Sequence, residues 1–353
     1  MKKNDAIRND SMNSKKKQMI IGTLITLFLL VLAIVILFDQ REFDDGVIKI
    51  GYSADTLVIE RWKRDQELFK AKAEAEGIEV IYHNANEDND MQVKQIESLI
   101  KEKVDVLVVI PYDKDGISAV INEAIEKGIK VIAYDRLIND APVDLYLSFD
   151  NLKVGELMAV DLLEVSPKGN YIIINGSPDD NNSSMFNEGY KTALKPYIES
   201  GDIKIVKEVW ADDWREAPAY DAVIQVINSG IEINGIIGAN DHLADAAIRA
   251  LSENGLAGQV PVAGHDADIS ACQRIVEGTQ HVTIYKPIKN LAESAVEYAI
   301  KLALDEEFIT SDLIYNGYDV PYIKLDVIPV TRDNMMETVI KDGFHKREDI
   351  YRD

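Results

Sequence analysis

From residue 47 onward, two hydrophobic patterns alternate along the chain. Short apolar runs of four to eight residues, rich in Val and Ile, are each followed by longer stretches with apolar positions three and four apart. The first pattern predicts strands and the second helices. Strands are expected at residues 47–52, 78–83, 104–110 and 130–133, with helices at 61–76, 90–101 and 117–127. Gly77, Gly128 and Gly255 each stand just past a helical stretch, where the left-handed conformation ends a helix cheaply. Near residues 145–150 the chain crosses to a second unit of the same kind. Its strands fall at 170–175, 203–209, 235–239, 260–263 and 281–285, and its helices start near 182, 216, 241 and 268. Apolar strands joined by helices imply parallel sheets covered on both faces, an α/β class with two doubly wound lobes.

A stretch of a different kind precedes all this. Residues 19–38 carry no charge, and at 1.5 Å per residue they reach roughly 30 Å, the thickness of a bilayer core. A cleaved signal peptide would have a shorter apolar region and an Ala-x-Ala-like site, and neither is found. No lipobox cysteine follows either, because the only cysteine is Cys272. The stretch is read as an uncleaved transmembrane anchor, with residues 1–18 cytoplasmic and 39–45 an acidic spacer. Residues 1–18 hold six Lys/Arg and two Asp/Glu, so the positive-inside rule places everything after Phe38 outside the cell.

The whole chain of 353 residues has a formal charge of −23, so the part beyond the first 18 residues is more acidic still. Such a body is a poor partner for nucleic acid. One cysteine permits no intrachain disulfide, and the outer part relies on its core. A hydrophobic content of 46% supplies one.

Ligands of open α/β sheets bind beyond the carboxyl ends of the strands. Read in order, those ends carry Arg61-Trp62, Asp135-Arg136, Asp180-Asn181-Asn182, Asp213-Trp214, Asn240-Asp241, Asp266 and Lys286. Planar bidentate groups suit vicinal hydroxyls, and indole faces suit the apolar face of a sugar ring. Asp135 and Arg136 are read as one gripping pair. Each residue also has a plainer role available. Trp62 and Trp214 can be half-buried core anchors, and Trp210 is read as one. Asn182 can be a helix N-cap, the reading preferred for Asp241 and Asp268. Lys286 can face solvent. The acidic stretch 86–90 lacks the Gly and distal Glu of a calcium loop and is read as a solvated turn. Catalytic signals are poor: the five histidines lack metal-ligand spacing, and no nucleophile elbow or phosphate loop is present. His265 beside Asp266 is discounted as a pair, since strand neighbours point to opposite faces. No enzyme, metal or cofactor is expected.

The segments Glu60-Arg-Trp, Ile132-Ala-Tyr-Asp-Arg-Leu-Ile-Asn-Asp, Ser148-Phe-Asp-Asn, Gly176-Ser-Pro-Asp-Asp-Asn-Asn, Asn240-Asp, His265-Asp-Ala-Asp and Tyr285-Lys-Pro-Ile resemble D-xylose-binding proteins of the periplasmic-binding-protein type I class. That resemblance implies two lobes closing on a pyranose, joined by a three-stranded hinge. It implies a first lobe of 46–149 and 287–330, and a second of 150–286 and 331–353. It also implies ligand contacts from Arg61, Trp62, Asp135, Arg136, Asn182, Trp214, Asn240, Asp266 and Lys286. Val58 and His265 depart from the family's usual Arg and Gln. With the tether, the expectation is an extracellular D-xylose receptor that signals through a sensor histidine kinase. The alternative is the binding subunit of a xylose ABC importer, with a permease as partner. A LacI-type repressor would need a basic helix-turn-helix where the apolar stretch stands.

Overall fold

The computed structural model describes residues 47–58, 60–310 and 312–352. The expected cytoplasmic residues 1–18, anchor 19–38 and spacer 39–45 lie outside them. Among the described residues no helix is long and apolar enough to cross a membrane.

The first half runs β1 (Lys49–Ala54), α1 (Glu60–Glu76), β2 (Glu79–Asn84), α2 (Asn89–Lys101), β3 (Val106–Val109), α3 (Ser118–Glu126), β4 (Lys130–Tyr134) and β5 (Leu145–Phe149). The second continues with α4 (Asn151–Val165), β6 (Gly169–Asn175), α5 (Asn181–Glu199), β7 (Ile203–Trp210), α6 (Ala217–Asn228), β8 (Gly235–Gly238), α7 (Asp241–Glu253), β9 (Val262–His265), α8 (Ile269–Glu277) and β10 (Val282–Tyr285). The chain ends with α9 (Ile288–Ala303), β11 (Asp312–Tyr315), β12 (Asp319–Leu325), β13 (Ile328–Val330) and α10 (Arg347–Ile350). Gly77 and Gly128 take φ of 73° and 84° just past their helices, as helix stops require.

Two sheets result. One has the order β11-β12-β5-β4-β3-β1-β2, the other β13-β10-β9-β8-β6-β7. Both are parallel except for β11 against β12 and β13 against β10. The uninterrupted apolar strands are explained by their two covered faces. In β3, Val106 and Val108 pack with Phe69 of α1 and Val296 of α9, whereas Leu107 and Val109 pack with Leu99 of α2 and Ile121 of α3.

The chain passes between the sheets three times. It leaves the first after β5 at Asp150, returns between β10 and α9 at Lys286–Pro287, and leaves again between β12 and β13. The third passage lies at Asp326–Val327 rather than at the expected 330/331. The cause is β13, whose Ile328 and Val330 pair with Tyr285 and Thr283 of the second sheet.

Helices α4 and α5 meet backbone to backbone. A Cβ on Gly155 would collide with the Phe186 carbonyl, and one on Gly189 with the Leu152 carbonyl. This contact fixes α5, whose first turns carry Asn182 and Phe186. Gly189→Ala should therefore destabilise the fold by about 1–3 kcal/mol or more, measured by denaturant unfolding. Unchanged stability would show that the two helices can slide apart freely.

Candidate functional site

The carboxyl ends of both sheets border a cavity of about 640 Å³. All nine expected residues line it: Arg61 and Trp62 from α1, Asp135 and Arg136 after β4, Asn182 from α5, Trp214 after β7, Asn240 after β8, Asp266 after β9 and Lys286 after β10.

The arginines organise it. The Arg61 guanidinium pairs with Asp135 of its own lobe and reaches Oδ1 of Asp266 in the other at 3.4 Å. Arg136 does the same with different partners. Its Nη1 lies 2.7 Å from Asp55 Oδ2 in its own lobe, and its Nε 2.8 Å from Asp180 Oδ2 in the other. Adjacent Asp135 and Arg136, read from the sequence as one pair for gripping hydroxyls, each find ionic partners elsewhere, Asp135 in Arg61 and Arg136 in Asp55 and Asp180. Asp135 takes a left-handed φ of 62°, and the two side chains go to separate partners.

Asn182 is a brace. Its Nδ2 donates to the Asp135 carbonyl and to Asp135 Oδ1, both at 3.1 Å. Its Oδ1 accepts from the Tyr146 hydroxyl at 3.0 Å and from Asn151 Nδ2 at 2.9 Å. Two donors and two acceptor sites are all an amide side chain has, so protein groups fill it. The cap of α5 is Asp180, which accepts from the Asn182 N–H at 2.9 Å. Asn240 caps α7 by accepting from the Leu243 N–H at 2.9 Å. Asp241, expected to be that cap, is instead buried and accepts from Gln280, Thr283 and the Asp268 N–H. Asp268 occupies the cap position of α8 without a side-chain capping bond.

Trp62 is buried beneath both arginines, whose guanidinium carbons lie 4.3 and 5.4 Å from its ring. The Trp214 ring presses on Gly176, where a Cβ would strike it, and its indole nitrogen is buried without a hydrogen-bond partner. Trp210, read as a core anchor, is exposed on the outermost strand of its sheet. Lys286 does not face solvent: it is buried, with Nζ 3.5 Å from Asp266 Oδ1 and 5.0 Å from the Phe186 ring.

His265 and Asp266 are in contact after all, with Nδ1 3.0 Å from Oδ1. Strand alternation does not govern them, because β9 ends at His265 and Asp266 turns to φ 99°. The sequence reading also missed Phe186, which lies one helical turn after Asn182 and so shares its face. It missed Asn86 and Glu87, both at positive φ and both lining the cavity. A further bond joins the lobes there, from the Tyr112 hydroxyl to Asp213 Oδ1 at 3.0 Å.

Burial and pairing set the charges. Burial pushes Asp135 up, but Arg61 and Lys286 outweigh it and hold the carboxyl below its ordinary value. Burial also opposes the charge on Asp266, and His265, Lys286 and Arg61 again overcome it. Behind them burial dominates, raising Asp55 to about 6 and Asp65 to about 7. Asp65 accepts a bond from the Tyr134 hydroxyl, while its Oδ2, 3.8 Å from Arg61 Nε, has no hydrogen bond. A carboxyl raised in the folded state contributes stability that is full below its unfolded value and is lost as pH rises through 7. Asp65→Asn should leave the unfolding free energy nearly unchanged at pH 4 and raise it by roughly 1–4 kcal/mol at pH 8. Equal shifts at both pH values would show that Asp65 does not titrate in this range.

A family model described as a periplasmic binding protein domain matches residues 50–307. The D-xylose-binding periplasmic protein of Haemophilus influenzae is 45% identical over 306 residues, 86% of this chain and 92% of its own. That of Escherichia coli is 45% identical over 305 residues, with the same shares covered. A carbohydrate transporter solute-binding protein from Chloroflexus aurantiacus, solved with D-glucose, superposes with a TM-score of 0.79 at 25% identity, covering 86% of this chain and 98% of its own. With its two parallel-sheet lobes and a sugar-binding kinship along most of its length, the chain belongs to the type I periplasmic binding protein family.

Proposed function

We propose that the protein is a D-xylose receptor whose lobes close on the sugar and which serves an ABC importer. The observation that carries this reading is the cleft itself, in which nine residues picked for hydroxyl and ring-face chemistry line one cavity between the lobes. The two relatives at 45% identity are both named for D-xylose. An ABC transporter solute-binding protein from Clostridium phytofermentans, solved with bound β-D-glucose, is 26% identical with a TM-score of 0.78. Kinship of this kind favours the importer over the kinase-linked sensor. One observation favours the sensor: the uncharged stretch 19–38 with its basic flank, which would tether the receptor outside the cell beside a membrane partner. Comparing xylose uptake with xylose-dependent transcription after deletion of the gene separates them. Lost uptake supports the importer; intact uptake with lost transcription supports the sensor.

Titration calorimetry with xylose, ribose, arabinose and glucose tests the ligand. Xylose should bind at micromolar or better, roughly −8 kcal/mol. Asp135→Ala should cost about 2–4 kcal/mol, because it strips the buried Arg61 guanidinium of a partner. Binding like the wild type would remove Asp135 from the site.

A ligand that touches both lobes stabilises only the state in which they are close. Small-angle scattering should show a smaller radius of gyration at saturating xylose. An unchanged radius would defeat closure.

A further inference from the structure

Asp266 and Ala267 are consecutive non-glycine residues at left-handed φ, 99° and 55°. Such backbone is costly and is kept where the surroundings enforce it. Here the turn folds the Asp266 carboxylate back beside the His265 ring. Oδ1 of that carboxylate faces His265 Nδ1 at 3.0 Å, Arg61 Nη1 at 3.4 Å and Lys286 Nζ at 3.5 Å. The imidazole is buried and meets the Phe186 ring edge to face at 4.6 Å, so it has little freedom to turn. Burial lowers its pKa to about 4, which keeps it neutral at ordinary pH. A third full positive charge beside Arg61 and Lys286 would be repelled.

A carboxylate oxygen at 3.0 Å from Nδ1 favours the ring proton there, since a negative oxygen attracts an N–H and repels a bare nitrogen. The N–H is poorly aligned with Oδ1, so the contact is more electrostatic than a well-formed hydrogen bond. Nε2 then carries a lone pair in the interior with no hydrogen-bond partner. An unpartnered buried polar atom is a cost that a phenylalanine of similar shape would avoid. The Asp266 contact is what the histidine offers against that cost.

We propose that His265 is a positioning residue. Together with Arg61 and Lys286 it pins Oδ1 of Asp266, so that Oδ2 is left to accept a hydroxyl of the sugar. This rests on the sugar-binding reading above. The test uses the full-length chain and xylose. His265→Phe should lower xylose affinity about ten- to a hundredfold while the melting temperature of the sugar-free protein holds or rises. His265→Asn, whose amide N–H overlays Nδ1–H, should recover affinity to within about threefold of the wild type. In an Asp266→Asn background, His265→Phe should add little, because the two act as one unit. Wild-type affinity in His265→Phe, or a loss as large in the Asp266→Asn background, overturns the proposal. Nitrogen-15 shifts of the imidazole in the sugar-free protein should place the proton on Nδ1, and a proton on Nε2 overturns it independently of any ligand. A wild-type chain that takes up no sugar overturns the receptor reading and this one with it, whereas the tautomer bears on His265 alone.

Discussion

Each of two guanidinium groups in the cleft holds one carboxylate from either side of it. Arg61 spans Asp135 and Asp266, and Arg136 spans Asp55 and Asp180. Burying charges is expensive unless each is paired and hydrogen-bonded, so neither arginine can lose a partner without cost. Both arginines belong to the first lobe, and each reaches a carboxylate of the second. The lobes are thus joined through the same groups that face the cavity. Trp62, packed under both guanidiniums, ties the two bridges together.

Around these bridges the polar groups divide into braces and free ends. Asn182 spends its whole hydrogen-bonding capacity on Asp135, Tyr146 and Asn151, and it does so from a helix that Gly155 and Gly189 hold against its neighbour. Asp65 lies where burial outweighs its partners and raises its carboxyl to about 7, so near neutral pH it carries only part of its charge. The result is a rigid polar surface assembled from both halves of the chain. In the proposed receptor that surface orients a neutral polyhydroxyl ligand.

Much of this was legible in the residues. Apolar runs such as 104–110 announced strands buried on both faces, and the rule that ligands sit at strand carboxyl ends gathered residues from Arg61 to Lys286 into one cavity. What stayed hidden depends on backbone angles that composition does not reveal. Asp135, at φ 62°, goes to Arg61 while Arg136 goes to Asp55 and Asp180, and Asp266 at φ 99° turns towards His265, against the expectation that neighbours in an extended chain point apart. The caps of α5 and α7 fell one or two positions from where they were sought, because Asp180 and Asn240 precede the first helical turn while Asp241 is drawn into a buried network. The third crossing moved because three residues, Ile328 to Val330, pair with β10.

The passage at Lys286–Pro287 has a consequence for how such a receptor can diversify. Lys286 reaches Asp266 from the very residue at which the chain changes lobes, and Pro287 next to it holds φ at −68°. In the proposed receptor, recognition and articulation therefore share one stretch of backbone. A substitution there that adapts the pocket to another solute also alters the joint on which opening turns. The loop at Asn86–Glu87 and the turn at Asp213–Trp214 line the same cavity but stand apart from every crossing. In the proposed receptor, side chains at Asn86 and Glu87 can vary without touching a crossing, whereas Asp213 also carries the lobe-joining bond from Tyr112.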